Sequence, residues 1–397
     1  MRWLEGKKIV LGVTGGIAAY RACDLVRELT KEGAVVNVVM TKAAQEFITP
    51  LTLQTLSQNP VITELFNLIS ESRIGHISLA QSADLLIVAP ATANIIGKFA
   101  SGIADDMLST LYLATRAPVL IAPAMNEKMY LHPAVQENME RLRSRGVCFV
   151  DPEAGELACG DVGIGRLAEV SKIVEMARMI LAPDYLKGKR VVVTAGPTSE
   201  PLDPVREVTN RSSGKMGFAF ARVAARLGAE VTLVSGPTAL PDPPFVGIRR
   251  VRRAEEMLQA LEEVVPGSDL LVMAAAVADF RPKEVSREKI KKEGFSGVVE
   301  LERNVDILRS LSSKKGKAFF LGFAAETEKV RENAAKKMRE KGLDAIFAND
   351  VSRDDIGFSS DHNQGTLIFS TGEEKEFPRL EKEELAFRVL EEISGKM

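Results

Sequence analysis

Three side chains in the first half of the chain are suited to acid–base chemistry or to binding a carboxylate. Cys159 lies in the glycine-rich stretch GELACGDVGIGRLAE, which favours a mobile, exposed loop where a thiol can act as an acid. His76 precedes an apolar helical pattern, and Asn126 directly follows an apolar strand pattern. An imidazole can serve as a base, and an amide NH₂ can hold a carboxylate. Each residue also has an ordinary structural interpretation, as a buried inert thiol, a capping or core histidine and a turn-forming asparagine.

A second group of residues follows the ends of predicted strands, where open α/β sheets bind their ligands. The stretch GVTGGIAAY places glycines and free backbone N–H groups between a strand and a helix, which suits an anion but also a plain tight turn. Glycines and alanines beside the polar residues leave room for a flat ring, so FMN fits better than a dinucleotide. The candidates for binding it are Gly15, Gly16, Ile17, Thr41, Thr92, Asn94 and Lys98.

The second half of the chain has comparable polar positions. Its first long polar loop has no evident structural purpose and ends in SSGKMG at the start of a predicted helix. There Ser212 and Gly214 can cradle a phosphate and Lys215 adds positive charge, although a simple helix cap is the alternative. Further polar candidates at or near strand ends are Asp279, Lys289, Asn304 and Asp306.

The elements that must position these residues alternate between strands and helices. Apolar runs without polar alternation, such as KIVLGVTG and DLLIVAP, indicate parallel strands that are covered on both faces. Helical patterns run from about Ala18 to Gly33 and over residues 170–181. In the second half, DLLVMAAAVAD predicts a strand that ends at Asp279. This alternation predicts an α/β fold.

The alternation restarts in the middle of the chain, which indicates two domains. The stretch APDYLKGKR interrupts the pattern, and RVVVTAGPT opens a second series of strands. We therefore predict one domain over residues 1–182, a linker over 183–189 and a second domain over 190–397.

Composition and charge limit the kind of protein. The chain has 397 residues, of which 45% are hydrophobic and 27% charged, and this is ordinary for a globular protein of two domains. Because 52 basic and 54 acidic residues nearly balance, neither nucleic acid nor a membrane surface is an expected partner. The apolar runs are shorter than the roughly 20 residues of a spanning helix. Three cysteines without a pairing pattern and no apparent secretory signal predict a reducing, cytoplasmic setting.

Five motifs in order along the first half give the chain a specific resemblance. They are GVTGGIAAY, GHISLA, PATANIIGKFASGIADD, PAMNEKM and ACGDVGIGRL. Across essentially its whole length, the sequence resembles the bifunctional bacterial proteins of coenzyme A biosynthesis, in which phosphopantothenoylcysteine decarboxylase is fused to phosphopantothenate–cysteine ligase. The resemblance implies a flavodoxin-like FMN-binding domain followed by a second, Rossmann-like α/β ligase domain.

For the first domain the resemblance implies FMN-dependent decarboxylation. Oxidation of the substrate thiol to a thioaldehyde provides a sink for the electrons left by CO₂. His76 would assist the oxidation, and Asn126 would hold the substrate carboxylate. Cys159, on a loop that closes over the substrate, would protonate the resulting ene-thiolate. Cys23 and Cys148 fall within a helical and a strand pattern, so we expect them to pack in the core.

For the second domain the resemblance implies ligation of 4′-phosphopantothenate with cysteine through an acyl-CMP intermediate made from CTP. Asn210 would handle that intermediate. Mg²⁺ is expected to bridge the triphosphate, but the sequence shows no dedicated set of metal ligands. Lys337 and Lys341 are four residues apart and would project from one helix face. Together with Ser212, Gly214 and Lys215, the CTP site would comprise Ala274, Ala275, Asp279, Lys289, Asn304, Val305, Asp306, Ile307, Phe323, Lys337 and Lys341.

The resemblance also implies a homo-oligomer. Trimeric contacts between decarboxylase domains and dimeric contacts between ligase domains would combine into a dodecamer. Two other classes stay open, namely another FMN-binding flavoprotein similar to flavin prenyltransferases and a non-catalytic regulatory relative. The first gives no reason for His76 and Cys159 together. The complete set of His76, Asn126 and Cys159 and the intact second half weigh against the second.

Overall fold

The computed structural model describes most of the chain, in two compact units. The described residues are 2–65, 75–156, 160, 162–292, 297–326, 329–350 and 360–397. One unit comprises Arg2–Ala182 and the other comprises Pro183–Met397. Within the described ranges, no helix is long and apolar enough to cross a membrane.

The first unit is built on a parallel sheet. Its strands are β1 Lys8–Val13, β2 Val35–Met40, β3 Leu85–Ala91, β4 Val119–Pro123, β5 Cys148–Phe149, β6 Glu153–Glu156 and β7 Val162–Arg166. Its helices are α1 Ala22–Lys31, α2 Pro50–Ser57, α3 Gly75–Ser82, α4 Ala93–Ser101, α5 Met107–Ala114, α6 Glu127–Tyr130, α7 Pro133–Ser144 and α8 Val170–Leu181. The sheet order β2-β1-β3-β4-β5 is that of flavodoxin-like folds, which bind ligands where the order reverses, beyond β1 and β3.

Both faces of this sheet are covered by helices, as the continuous apolar runs predict. Ile9 and Ile87 face a core cluster that includes residues of α1 and α8. Val10 and Leu86 face a second cluster with residues of α4, α5 and α7. Neighbouring strand residues point to opposite faces, so both sets are buried almost completely. Each Ile, Leu or Val side chain that is fully buried contributes about 1.5–3 kcal/mol to the stability of the fold. This packing holds the sheet rigid, and with it the carboxyl ends of its strands.

The helix predicted from about Ala18 begins differently. Residues Ile17–Arg21 form a 3₁₀ turn, and α1 starts at Ala22. Gly16, at the start of the turn, has an extended backbone and makes no side-chain cap hydrogen bond. The turn follows β1 in the chain, and the first N–H groups of a helical turn have no partner within it, so they are available to a ligand beyond β1.

The second unit is built on a mixed sheet. Its strands are β8 Arg190–Ala195, β9 Ser199–Pro201, β10 Glu207–Thr209, β11 Glu230–Ser235, β12 Gly247–Arg250, β13 Leu270–Met273, β14 Phe280–Pro282, β15 Leu301–Arg303, β16 Phe319–Glu326, β17 Ala345–Asp350, β18 His362–Phe369 and β19 Glu374–Glu381. Its helices are α9 Lys215–Arg226, α10 Ala254–Val264, α11 Ile307–Leu311, α12 Val330–Glu340 and α13 Lys382–Ser394. The parallel part has the Rossmann order β12-β11-β8-β13-β16-β17, and β18 and β19 add an antiparallel hairpin.

The prediction that the buried strand of this unit extends to Asp279 is wrong, because β13 ends well before it. The hydroxyl of Thr194 accepts a hydrogen bond from Ala275 N at 3.0 Å, and that of Thr198 accepts one from Ala278 N at 2.9 Å. Side chains, instead of a neighbouring strand, bind these N–H groups. The chain therefore leaves the sheet and forms a loop across its carboxyl edge.

The long polar loop before α9 also differs from the prediction, since it has structure of its own. Strands β9 and β10 form an antiparallel hairpin within it, and Glu200 is almost completely buried. Asp203 Oδ1 accepts hydrogen bonds from the backbone N of Val205 and of Arg206, both at 2.8 Å, which shapes the turn between the strands. The sequence does not reveal this hairpin, because strands are recognised by buried apolar residues and the buried side chains of this hairpin include acids.

Helices α9 and α13 are joined by an ion cluster. Glu383 accepts hydrogen bonds from Arg222 at 2.7 Å and from Arg226 at 2.6 Å, and the Arg226 side chain is only 2% exposed. Burial alone would raise the pKa of Glu383, but the two guanidinium groups outweigh it and lower the pKa from 4.5 to about 2.

We expect Glu383→Gln to destabilise the second unit by about 3 kcal/mol at neutral pH, because it removes the charge that balances a buried guanidinium. The pKa is lower in the folded state, so the stabilisation is complete above about pH 4.5 and is lost as pH falls toward 2. Urea unfolding at neutral and acid pH measures both effects. The matched control is Glu384→Gln, whose pair with Arg388 is more exposed and contributes about 0.5 kcal/mol. A Glu383 variant no less stable than this control would contradict the prediction.

Candidate functional site

Two adjacent cavities lie beyond the carboxyl ends of β1, β3 and β4. The first, of about 490 Å³, is lined among others by Gly15, Gly16, Ile17, Thr92 and Asn126. The second, of about 510 Å³, is lined among others by Gly15, Thr41, Thr92, Asn94 and Lys98. All the residues predicted for the flavin therefore line one or both of two cavities that share Gly15, Thr92 and Met129.

Threonines shape and polarise the floor of these cavities. The hydroxyl of Thr14 donates to Pro90 O at 2.7 Å and accepts from Thr92 N at 3.1 Å, which ties the ends of β1 and β3 together. The hydroxyl of Thr41 is buried and has no hydrogen-bond partner among the described residues. An unsatisfied buried hydroxyl is costly, so its position in a cavity wall fits a polar ligand such as a flavin. Thr14 was missed by the sequence analysis, although a hydroxyl beside a glycine turn at a strand end is a usable signal.

Lys98 is held by two carboxylates. Its ammonium donates to Asp105 at 2.6 Å and to Asp106 at 2.8 Å, and Asp106 also accepts from Ser109 N as the cap of α5. Burial alone would lower the pKa of Lys98, but the bonds to the carboxylates outweigh it and raise the pKa. Its charge is thus balanced within the cavity wall. Lys98 can shape the site, but it offers little free charge to a phosphate.

Asn126 is placed so that it can act both as a turn-forming residue and as a ligand-binding amide, the two interpretations that the sequence left open. It caps α6, where its Oδ1 accepts a hydrogen bond from Lys128 N at 2.9 Å. It also lines the first cavity, together with Glu156 and Arg166 of the β6–β7 hairpin. The turn therefore orients the amide at the edge of the cavity.

Two of the predicted catalytic side chains cannot be placed. Cys159 lies outside the described residues, in the connection from β6 to β7. His76 is at the start of α3, and its side chain also lies outside the described part of the structure. Cys23 of α1 and Cys148 of β5 pack against the core, which confirms their predicted role, and burial raises the pKa of both thiols.

The prediction that the glycines around Cys159 lie in a loop is wrong for three of them. Gly155 lies in β6, and Gly163 and Gly165 lie in β7, which pairs antiparallel with β6. A Cβ at any of the three would lie within 2.7 Å of an atom of another residue. At Gly165 that atom is a backbone oxygen, so this glycine permits the close packing of β7.

The second unit has a cavity of about 530 Å³ beyond the carboxyl ends of β13 and β16. It is lined among others by Ala274, Ala275, Asp279, Asn304, Val305, Asp306, Ile307, Phe323, Lys337 and Lys341. The structure thus brings together most of the residues predicted for the CTP site. The loop after β13 forms one wall, and Lys337 of α12 and Lys341 just after this helix supply cations to the other.

Asn304 is held by a buried acid that the sequence analysis missed. Asn304 Nδ2 donates to Glu200 Oε1 at 2.9 Å, and Glu200 also accepts from Ala254 N at 2.9 Å. Asn304 N donates to Asp279 O at 2.9 Å, and Val305 N donates to Asn304 Oδ1 at 3.0 Å. These bonds fix the wall of the cavity. Glu200 gives no sequence signal, because an acid in a polar loop looks exposed.

The two lysines of α12 face the cavity in different ways. Lys337 lies within the helix, whereas Lys341 lies one residue beyond its end, as the C-cap. Lys341 pairs with Asp306 at 3.3 Å. The four-residue spacing nonetheless places both on the cavity, as predicted. No group of three or more His, Cys, Asp or Glu side chains that could hold a metal ion occurs in the described part of the chain.

The residues around the start of α9 form a separate group, connected to the cavity by Asn210. Ser212, Gly214 and Lys215 are not among the residues that line the cavity, and Lys215 pairs with Asp361 at 2.6 Å. Asn210 Nδ2 donates to Ala276 O and to Val277 O, both at 3.1 Å. Asn210 therefore lies between the start of α9 and the cavity wall.

Lys289 is not brought to the cavity. It is exposed in the arm between β14 and β15 and does not line the cavity. The next residue, Ile290, donates through its N to Asp203 Oδ2 at 3.2 Å, and Arg206 donates to its carbonyl. Burial alone would raise the pKa of Asp203, but backbone N–H groups including that of Ile290 lower it. Ionised Asp203 thus anchors the arm beside Lys289.

Comparison with known proteins covers both units. The family described as Flavoprotein matches residues 2–181, and the family described as DNA/pantothenate metabolism flavoprotein C-terminal domain matches residues 186–397. The chain is 48% identical to the coenzyme A biosynthesis bifunctional protein CoaBC of Bacillus subtilis (strain 168), over 99% of this chain and 98% of that protein. It is 49% identical to the protein of the same name from Escherichia coli (strain K12), over 98% and 97%. A crystal structure of the C-terminal domain of a CoaBC protein is 46% identical and covers 54% of this chain and 97% of its own, with a TM-score of 0.47.

Proposed function

The chain belongs to the family of bifunctional coenzyme A biosynthesis proteins, and from this premise we propose which of its residues carry the two reactions. These are the joining of 4′-phosphopantothenate to cysteine and the decarboxylation of the product to 4′-phosphopantetheine. The observation that carries the assignment is that each unit has a cavity at its sheet's carboxyl edge, lined by several of the residues expected for that reaction. Similarity over both halves disfavours a prenyltransferase-like flavoprotein and a regulatory relative.

We assign decarboxylation to the first unit, with FMN as its flavin. The N–H groups from Gly15 to Ile17 suit its phosphate, and the buried Thr41 hydroxyl suits a polar group of the same ligand. Bound FMN supplies an acceptor for two electrons from the substrate and returns them later. His76 takes up a proton during substrate oxidation, Asn126 holds the substrate carboxylate, and the Cys159 thiol donates the final proton.

We assign ligation to the second unit. The cavity takes CTP, and Lys337 and Lys341 offset the charge of its phosphates. The start of α9, with Ser212, Gly214 and Lys215, takes a phosphate group. Asn210 lies between these two places, which suits contact with the acyl-CMP intermediate. Mg²⁺ would enter with CTP, held by phosphate oxygens and water, because such sites often lack a protein cage.

We also propose that the protein is a cytoplasmic homo-oligomer. A step that depends on a free thiol favours a reducing compartment. Large apolar side chains are exposed beside the first cavity, where Ile17 and Tyr20 are 60% and 58% exposed. Others are exposed in the second unit, such as Val298 on the arm between β14 and β15 and Leu301 at the start of β15. Trimeric contacts at the first place and dimeric contacts at the second would give a dodecamer, and the solution mass of the full chain tests this assembly.

The proposed function is tested by incubating the full chain with phosphopantothenate, cysteine and CTP. We expect CMP and CO₂ in equal amounts, with phosphopantetheine as the final product. Expressed separately, residues 1–182 should be yellow and decarboxylate supplied phosphopantothenoylcysteine, and residues 183–397 should release CMP alone. Absence of both CMP and CO₂ with the full chain would refute the assignment. A colourless first piece or an unfolded second piece would refute the domain boundary.

A further inference from the structure

The β6–β7 hairpin is fastened to the turn that carries Asn126 by contacts that the proposed reaction does not explain. Met125 N donates to Gly165 O at 3.0 Å. Ile164 N donates to the carboxylate of Glu127 at 3.1 Å. The two bonds connect β7 to the residues directly before and after Asn126. The hairpin and the turn therefore form one packed structure at the edge of the cavity.

The packing between them is close at two glycines, and at Gly165 it leaves no room for a side chain. A Cβ on Gly163 would lie 2.4 Å from the Glu127 carboxylate, and a Cβ on Gly165 would lie 2.1 Å from Met125 O. Gly165 also has a φ of +152°, which disfavours other residues. The sequence of β7 is thus fitted to the carboxylate of Glu127, a half-buried group that would otherwise lie in water.

The position of β7 matters because the chain that joins it to β6 carries Cys159. Gly155 of β6 pairs with Gly163 of β7, and Glu156 pairs with Val162. The stretch of chain from Glu156 to Val162 includes Cys159. Holding β7 against the turn therefore fixes where the segment with the proton-donating thiol begins and ends, relative to Asn126.

We propose that Glu127 is a positioning residue for the decarboxylase reaction. Its carboxylate accepts the Ile164 N–H and so keeps the hairpin in register with Asn126, which holds the substrate carboxylate. This inference rests on the proposed roles of Asn126 and Cys159. Glu127 does not touch the reacting atoms, and it acts through the placement of the hairpin.

The first test compares full-chain Glu127→Ala with Glu127→Gln, whose amide oxygen can still accept the Ile164 N–H. In the alanine variant, we expect the ratio of phosphopantetheine to oxidised ene-thiol product to fall about 10- to 100-fold, because the proton donor is misplaced. In a single anaerobic turnover, CO₂ release should stay near the wild-type rate, because it precedes the proton transfer. The glutamine variant should stay close to wild type. Lys128→Ala is the matched surface control on the same helix and should change neither quantity.

Amide hydrogen exchange gives a readout that does not depend on turnover. Exchange at Ile164 N should accelerate about tenfold in Glu127→Ala, the effect of one lost hydrogen bond. Where that variant fails to fold, Gly163→Ala replaces it, because the added Cβ displaces the carboxylate while Glu127 stays in the chain. It should shift the product ratio in the same direction.

An unchanged product ratio in both Glu127→Ala and Gly163→Ala overturns the proposal. An equal loss of CO₂ and of phosphopantetheine in a single turnover also overturns it, since that pattern marks a general structural role. The ratio can report on Glu127 only if Cys159→Ser itself alters it. If Cys159→Ser leaves the ratio unchanged, the proposed function of the thiol fails, and exchange at Ile164 alone then decides whether Glu127 holds the hairpin.

Discussion

Cys159→Ser is expected to release CO₂ from phosphopantothenoylcysteine but to form phosphopantetheine at least about 100-fold more slowly than the wild type. A hydroxyl is a far weaker acid than a thiol with a pKa of about 8.5, and a positioned general acid contributes about 10²- to 10⁴-fold. Substrate oxidation and CO₂ loss precede the proton transfer and depend on His76 and Asn126. The variant should therefore stop after one turnover and accumulate the oxidised ene-thiol product.

The measurement is anaerobic mixing of each variant with the substrate, followed by flavin absorbance and product mass. In Cys159→Ser, the visible absorbance should bleach once and stay low. In His76→Asn, the first step is blocked, so neither bleaching nor CO₂ release is expected. Cys23→Ser is the matched thiol control, because Cys23 packs against the core of the first unit. Phosphopantetheine formed at the wild-type rate by Cys159→Ser would show that the thiol is not the acid.

The positions at strand ends could be predicted from the sequence because local patterns determine them. Apolar runs without alternation require cover on both faces, and this puts the ends of parallel strands at one ligand-binding edge. Thr41 and Thr92 could be recognised as polar residues directly after such runs. Lys337 and Lys341 could be paired by helical spacing. The structure places each of them on a cavity wall.

Features that depend on contacts between distant segments could not be predicted in the same way. Glu200 and Glu127 look like surface acids, yet each accepts hydrogen bonds from chain segments far away in sequence. The end of β13 depends on the hydroxyls of Thr194 and Thr198, which capture N–H groups that a local pattern assigns to the sheet. The glycines near Cys159 suggested motion because their close packing partners lie elsewhere in the chain.

Lys289→Gln is expected to slow ligation by about 100- to 1,000-fold and to leave decarboxylation of supplied phosphopantothenoylcysteine unchanged. Removing one charged or hydrogen-bonding partner of a transition state typically costs that much. The exposed position of Lys289 makes the prediction stringent. In the structure it lies on an arm anchored by Ile290 to Asp203, and not on the cavity wall. Lys289 can therefore affect ligation only if the arm brings the Lys289 ammonium group to the triphosphate of CTP.

Matched changes on the same arm separate this role from surface charge. Lys283→Gln alters an exposed lysine that pairs with Glu300 at 3.2 Å, and it should change ligation less than about twofold. CMP release at saturating CTP measures the chemical step, and its dependence on CTP concentration measures binding. If Lys289→Gln and Lys283→Gln had equal effects, the ammonium of Lys289 would have no specific role. If Lys289→Gln reduced both ligation and decarboxylation, its role would be structural, because the two reactions belong to different units.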